Sequence, residues 1–75
     1  MALLEKFVHL QNVNHPAPHK PIYGDYFIFE DNGSRYLQIN TYGSAERQIP
    51  GKISQTIQLS EDAIKQLREI GRAHV

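Results

Sequence analysis

The strongest pattern in the chain is a pair of apolar-rich runs around one polar break, DYFIFE-DNGS-RYLQINTY, over residues 25–42. Asn32-Gly33 sits at the centre and accepts the positive φ angles of a type I′ turn, whose twist suits a two-residue hairpin. Counting outward from that turn opposes Asp31 to Ser34, Glu30 to Arg35, Phe29 to Tyr36, Ile28 to Leu37, Phe27 to Gln38 and Tyr26 to Ile39. Directly opposed residues share a face and faces alternate along each strand. One face then carries Tyr26, Ile28, Leu37 and Ile39, capped by the Glu30–Arg35 pair; the other carries Phe27, Phe29, Tyr36, Gln38, Asn40 and Tyr42.

Elsewhere the periodicity is plainer. ISQTIQLS reads as a further strand, with Ile53, Gln55, Ile57 and Leu59 on one side and Ser54, Thr56 and Gln58 on the other. Ser60 is a good N-cap, and Glu61 and Asp62 follow in the first turn, where the helix dipole favours negative charge. Ala63, Leu67 and Ile70 form a narrow apolar stripe flanked by Ile64, and Gly71 suits the residue just past the end, so a helix is expected over 61–70. Residues 1–12 fit two elements: Leu3, Phe7 and Leu10 have helical spacing, while KFVHLQNV also passes as a strand. The helix is the expectation taken. Residues 12–24, with Pro16, Pro18 and Pro21, read as an extended connector. Residues 43–52 read as a mobile loop. The fold class expected is α+β: a small antiparallel sheet of three to four strands, then a C-terminal helix packed on one face.

Length and composition narrow the possibilities. Seventy-five residues make one small domain, 1–75. A chain of this size buries only about 60% of its unfolded surface, which makes a self-associated form the expected one. No cysteine is present, which excludes disulfides, thiolate metal sites and cysteine nucleophiles. The longest apolar run is far short of a membrane span, and MALLEKFVHL lacks the features of a signal peptide, so no membrane partner and a cytoplasmic location are expected.

The candidate enzymatic and metal chemistry is thin. His15 and His19 are four residues apart, but Pro16 and Pro18 forbid a helix there, and in extended chain the two lie ~13 Å apart. With His9 and His74 they could form a metal site only with support that nothing else in the sequence gives, and surface or loop histidines are the ordinary case, so no metal is expected. Tyr42-Gly43-Ser44 lacks the second glycine of a nucleophile elbow. The glycines are scattered rather than gathered into a phosphate loop. Asp25, Glu30 and Glu46 form no opposed acid–base pair. The reading is of a protein that is no enzyme, with no cofactor and no small-molecule substrate.

The aromatic face is the feature that asks for a ligand. If the helix stripe packs on Tyr26, Ile28, Leu37 and Ile39, then Phe27, Phe29, Tyr36 and Tyr42 remain on the far side with Gln38 and Asn40. Such a patch is unusual on a small monomer. It fits a stacking platform for unpaired bases, each stack contributing about 1–3 kcal/mol, or a contact with a protein partner or a second copy. Charge distinguishes the two only locally. Eight Lys plus Arg balance eight Asp plus Glu overall, whereas residues 32–59 hold Arg35, Arg47 and Lys52 against Glu46 alone.

The stretch 35–70, RYLQINTYGSAERQIPGKISQTIQLSEDAIKQLREI, resembles the positive-cofactor-four family of transcriptional coactivators and its bacterial relatives. The parts that carry the resemblance are the YLQI strand, the polar loop ending Pro50-Gly51-Lys52, the strand ending Leu59-Ser60 and the helix spacing SEDAIKQL. They cover roughly half of the chain. The resemblance implies curved antiparallel strands followed by one helix, a homodimer, and binding of single-stranded DNA in transcription or DNA maintenance. It also implies that Lys52 contacts DNA, that Arg47 lies in the loop leading to it, and that Tyr36, Gln38 and Asn40 lie along a sheet strand. The expected interface is Phe27, Phe29, Tyr36 and Tyr42 for stacking, Gln38 and Asn40 for base hydrogen bonds, and Arg35, Arg47 and Lys52 for phosphates. The alternative is an accessory or interaction subunit that uses the same aromatic face and binds no nucleic acid.

Overall fold

A computed structural model of the chain describes residues 1–43 and 52–73. Four strands and one helix follow in the order β1 (Ala2–Leu4), β2 (Gly24–Asp31), β3 (Ser34–Tyr42), β4 (Ile53–Leu59) and α1 (Glu61–Ala73). They form one sheet of strand order β1-β4-β3-β2 with the helix C-terminal to it, an α+β arrangement. The loop expected at 43–52 lies outside the described residues from 44 to 51.

The hairpin forms about the expected pivot. Asn32 and Gly33 have φ of 51° and 79°, the two positive values a type I′ turn requires. β2 and β3 pair antiparallel from Asp31↔Ser34 out to Gly24↔Thr41, including Phe29↔Tyr36 and Phe27↔Gln38. β3 and β4 are also antiparallel, with Leu37↔Leu59, Ile39↔Ile57, Gln38↔Gln58 and Asn40↔Thr56 opposed. A register shift at Thr41/Tyr42 brings Tyr42 opposite Ile53.

The N-terminus departs from expectation. In place of a helix over 1–12 there is a three-residue strand that pairs parallel to β4 through Ala2↔Ile57, Leu3↔Gln58 and Leu4↔Leu59. The sheet is therefore mixed rather than wholly antiparallel. The would-be helical stripe is split up: Phe7 is half-buried, while Leu10 is exposed. Tertiary hydrogen bonds decide the matter. Ser60 N–H donates to the Leu4 carbonyl at 3.1 Å, Ser60 Oγ–H donates to the Glu5 carbonyl at 3.3 Å, and the Gln66 amide holds both the N–H and the carbonyl of Phe7, at 2.7 and 3.1 Å.

Ser60 caps the helix as anticipated. Its Oγ accepts from Ala63 N–H at 3.3 Å and its carbonyl from Ile64 N–H at 2.9 Å. The helix runs three residues beyond the expected end, to Ala73, so Gly71 is inside it rather than past it.

The helix covers less of the sheet than its stripe suggested. It starts at the end of β4 and lies against β3 and β4, so β2, the far edge, is beyond its main contacts. Leu59 and Ala63 are the buried apolar core among the described residues, at 2% and 0% exposure. Leu59 lies opposite Leu37, on the face that carries Tyr26, Ile28, Ile39 and Ile57. Beyond that corner the same face is open: Tyr26 is 72% and Ile28 58% exposed. Gly24, Asp25, Tyr26, Ile28, Leu37 and Ile39 line a shallow depression of about 520 Å³ there. Leu67 and Ile70 of the helix are exposed as well. The expectation that the helix stripe covers Tyr26, Ile28, Leu37 and Ile39 is thus corrected: both sheet faces present apolar side chains to solvent.

Candidate nucleic-acid interface

The second sheet face is organised by register into three zones. At the hairpin end Phe27, Phe29 and Tyr36 form a ring cluster: Phe29 and Tyr36, directly opposed, stack at 5.3 Å between centroids and 21° between planes, and Phe27 tilts against Phe29 at 5.9 Å. Rings at these separations attract each other beyond their apolar burial. At the other end Tyr42 stacks on Tyr23 at 5.5 Å and 28°. Six residues of extended strand separate Tyr36 from Tyr42, about 20 Å.

Between the aromatic zones runs a polar ladder across three strands. Gln58 Nε2 donates to Gln38 Oε1 at 3.0 Å, and Gln38 Nε2 donates to Asn40 Oδ1 at 3.0 Å. Thr56 Oγ1 also donates to Asn40 Oδ1, at 3.1 Å. Asn40 Nδ2 passes the chain to Asp25 Oδ1 at 2.9 Å, and the Tyr42 hydroxyl donates to Asp25 Oδ2 at 2.5 Å. Asn40 is the hub and is only 5% exposed. A buried amide needs such partners, and among the described residues no buried side-chain polar atom lacks one.

The ladder sets the electrostatics of its end. The Tyr42 hydroxyl, and secondarily the Asn40 amide, hold the Asp25 carboxyl below its ordinary value of 3.8 by stabilising the charged form. The same bond pushes the Tyr42 phenol above 10.0, because Asp25 favours the protonated hydroxyl.

Six of the expected interface residues therefore share one surface: Phe27, Phe29, Tyr36, Gln38, Asn40 and Tyr42. Arg35 does not. It lies on the opposite face, 3.8 Å from Glu30, and its backbone N–H donates to Glu61 at 2.8 Å. Arg35 there lines a depression with Glu61, Ile64, Lys65 and Arg68. Lys52 is exposed immediately before β4, beside the Tyr42 end of the ladder. Arg47 lies outside the described residues. The sequence reading missed Asp25, Tyr23, Thr56 and Gln58 as members of this surface. The alternation of Thr56 and Gln58 along β4 was the available signal, but their partners depend on the β3–β4 register.

Among the described residues no group of three His, Asp or Glu side chains is placed to hold a metal ion, and no helix is long and apolar enough to cross a membrane. Comparison with protein-family models, with curated proteins and with solved structures finds no match for this chain.

Proposed function

We propose that this chain is a nucleic-acid-binding module that takes single-stranded DNA along the face carrying Phe27, Phe29, Tyr36 and Tyr42, and that it acts as a homodimer. The observation that carries the proposal is the juxtaposition of two ring zones with an amide ladder between them on one sheet surface, where Phe27 is exposed and Phe29, Tyr36, Gln38 and Tyr42 are half-buried. Unpaired bases are flat and apolar on their faces and polar at their edges, so rings alternating with amides suit them. Phe27 and Tyr36 at one end and Tyr42 at the other would stack bases. Gln38, half-buried, offers its edge to a base, while Asn40, two residues on along β3, fixes the orientation of its amide by accepting from Nε2. Lys52 would meet a phosphate next to Tyr42, and Arg47, outside the described residues, would supply a second phosphate contact.

The resemblance of residues 35–70 to the positive-cofactor-four family supports the same reading, and β2, β3, β4 and α1 share the order of antiparallel strands and a following helix that it implies. Net neutrality and few cations on this face predict modest affinity with a shallow salt dependence, about 0.7 per phosphate neutralised on a single strand.

Fluorescence anisotropy of a labelled single-stranded oligonucleotide at two salt concentrations tests this. Micromolar binding that weakens with salt, and weakens further in an Arg47→Ala, Lys52→Ala double variant, is expected. No binding at low salt would overturn it. The internally satisfied ladder would then favour the second reading, a protein-docking surface whose assembly is lost on Tyr36→Ala.

A further inference from the structure

β2 is an edge strand of eight residues, and among the described residues β3 is its one neighbour in the sheet. In a two-residue hairpin the residues next to the turn form a hydrogen-bonded pair, and such pairs alternate along the ladder. Asp31, Phe29, Phe27 and Asp25 therefore direct their backbone groups to β3. Gly24, Tyr26, Ile28 and Glu30 direct theirs outward, and among the described residues no backbone hydrogen bond reaches them from another segment.

Natural edges are usually blunted by charged side chains, lysine above all, by proline or by a bulge. β2 contains neither lysine nor proline, its acids Asp25, Glu30 and Asp31 sit towards its two ends, and the register irregularity of the sheet lies between β3 and β4. Its centre, Tyr26-Phe27-Ile28-Phe29, is apolar, with Tyr26 72%, Ile28 58% and Phe27 47% exposed. The opposite edge, β1, has only three residues, so pairing β2 with a β1 would be short and would propagate rather than close.

We propose that β2 pairs antiparallel with β2 of a second copy of this chain, about a two-fold axis at Phe27, joining the two sheets into one continuous sheet. Backbone geometry and charge select this register. Outward residues must face outward residues, and overlap of the whole strand leaves the axis on Phe27 or on Ile28. An axis on Ile28 sets Asp25 against Asp31 of the second copy, two like charges directly opposed. An axis on Phe27 sets Asp25 against Phe29, Gly24 against Glu30 and Tyr26 against Ile28, with no acid opposite an acid. Tyr26 and Ile28 then cover each other on the face with the open depression, and Phe27 meets its counterpart on the other face. The two ring clusters become adjacent on one surface.

This inference does not rest on the nucleic-acid reading, and its test uses none. Sedimentation of the full chain is expected to give a dimer. The chain has no cysteine, so a single Phe27→Cys places one thiol per copy at the axis, with Cα atoms about 4.5 Å apart, within disulfide range. Mild oxidation is expected to cross-link Phe27→Cys and to leave Tyr26→Cys and Ile28→Cys uncross-linked, since equivalent residues there sit diagonally, about 7–8 Å or more apart. Ile28→Pro removes an N–H that the β2–β3 ladder does not use, and is expected to halve the mass while the far-ultraviolet circular dichroism is kept. A monomeric chain, cross-linking at residue 28 in preference to 27, or a folded Ile28→Pro dimer would each overturn the proposal. A dimer that ignores oligonucleotides would leave it standing and remove the nucleic-acid reading instead.

Discussion

The Tyr42 hydroxyl donates to Asp25 Oδ2 at 2.5 Å across the β2–β3 pair, and Asp25 in turn accepts from the buried Asn40 amide. One exposed carboxylate thus ties an aromatic zone of the candidate interface to the polar ladder at its centre.

That link gives the fold a pH window. The native Asp25 carboxyl titrates below 3.8, so the unfolded chain takes the proton first. Its contribution is full above that ordinary value and is lost as pH falls through the lowered native one. Tyr42 runs the other way. Its native value is raised above 10.0, so its contribution is full below that and lost as pH rises through the raised value. Urea midpoints measured across pH should show both limbs, and Tyr42→Phe should flatten both. An alkaline limb unchanged in Tyr42→Phe would place the titrating group elsewhere.

Asn40 is expected to matter more for the fold than its surface neighbours. Its Oδ1 accepts from Gln38 and Thr56 and its Nδ2 donates to Asp25. Truncation to alanine leaves these partners short at a site 5% exposed, which should lower stability by about 1–3 kcal/mol. Thr56→Val, which removes one donor to a still-occupied acceptor, should cost less. Chemical denaturation of the two variants checks the order, and equal losses would contradict the role of Asn40 as hub.

How far the sequence revealed these features follows from which constraints are local. Asn32-Gly33 fixes the hairpin because the turn sets its own φ values and the register is then a matter of counting. The same count places Arg35 beside Glu30, away from the rings, although charge alone had grouped it with Arg47 and Lys52. The contacts of Asn40 with Thr56 and of Gln38 with Gln58 were not legible, since the connection over 43–52 fixes no count between β3 and β4. The parallel pairing of Ala2–Leu4 with Ile57–Leu59 spans most of the chain and has no local signature. The apolar stripe of α1 shows which side of the helix packs, not how many strands it reaches. Gly71 continues the helix at a propensity cost of about 1 kcal/mol relative to alanine, which no end signal overrides.

The N-terminal segment offers a test of that long-range pairing. The Gln66 side chain of the helix grips both backbone groups of Phe7, accepting from its N–H at 2.7 Å and donating to its carbonyl at 3.1 Å. Geometry at both ends of one amide resembles a backbone pair, so the bond extends the β1–β4 ladder past Ser60 along the helix. Gln66→Ala should free residues 5–7 and lower stability by about 1–2 kcal/mol, near the sum of two net hydrogen bonds. Hydrogen exchange separates this from a general loss. The Phe7 amide should lose protection, while the amides of Phe29 and Phe27, which point to β3, keep theirs. If Phe7 stays protected in Gln66→Ala, the segment is held by the apolar contact of its half-buried ring instead.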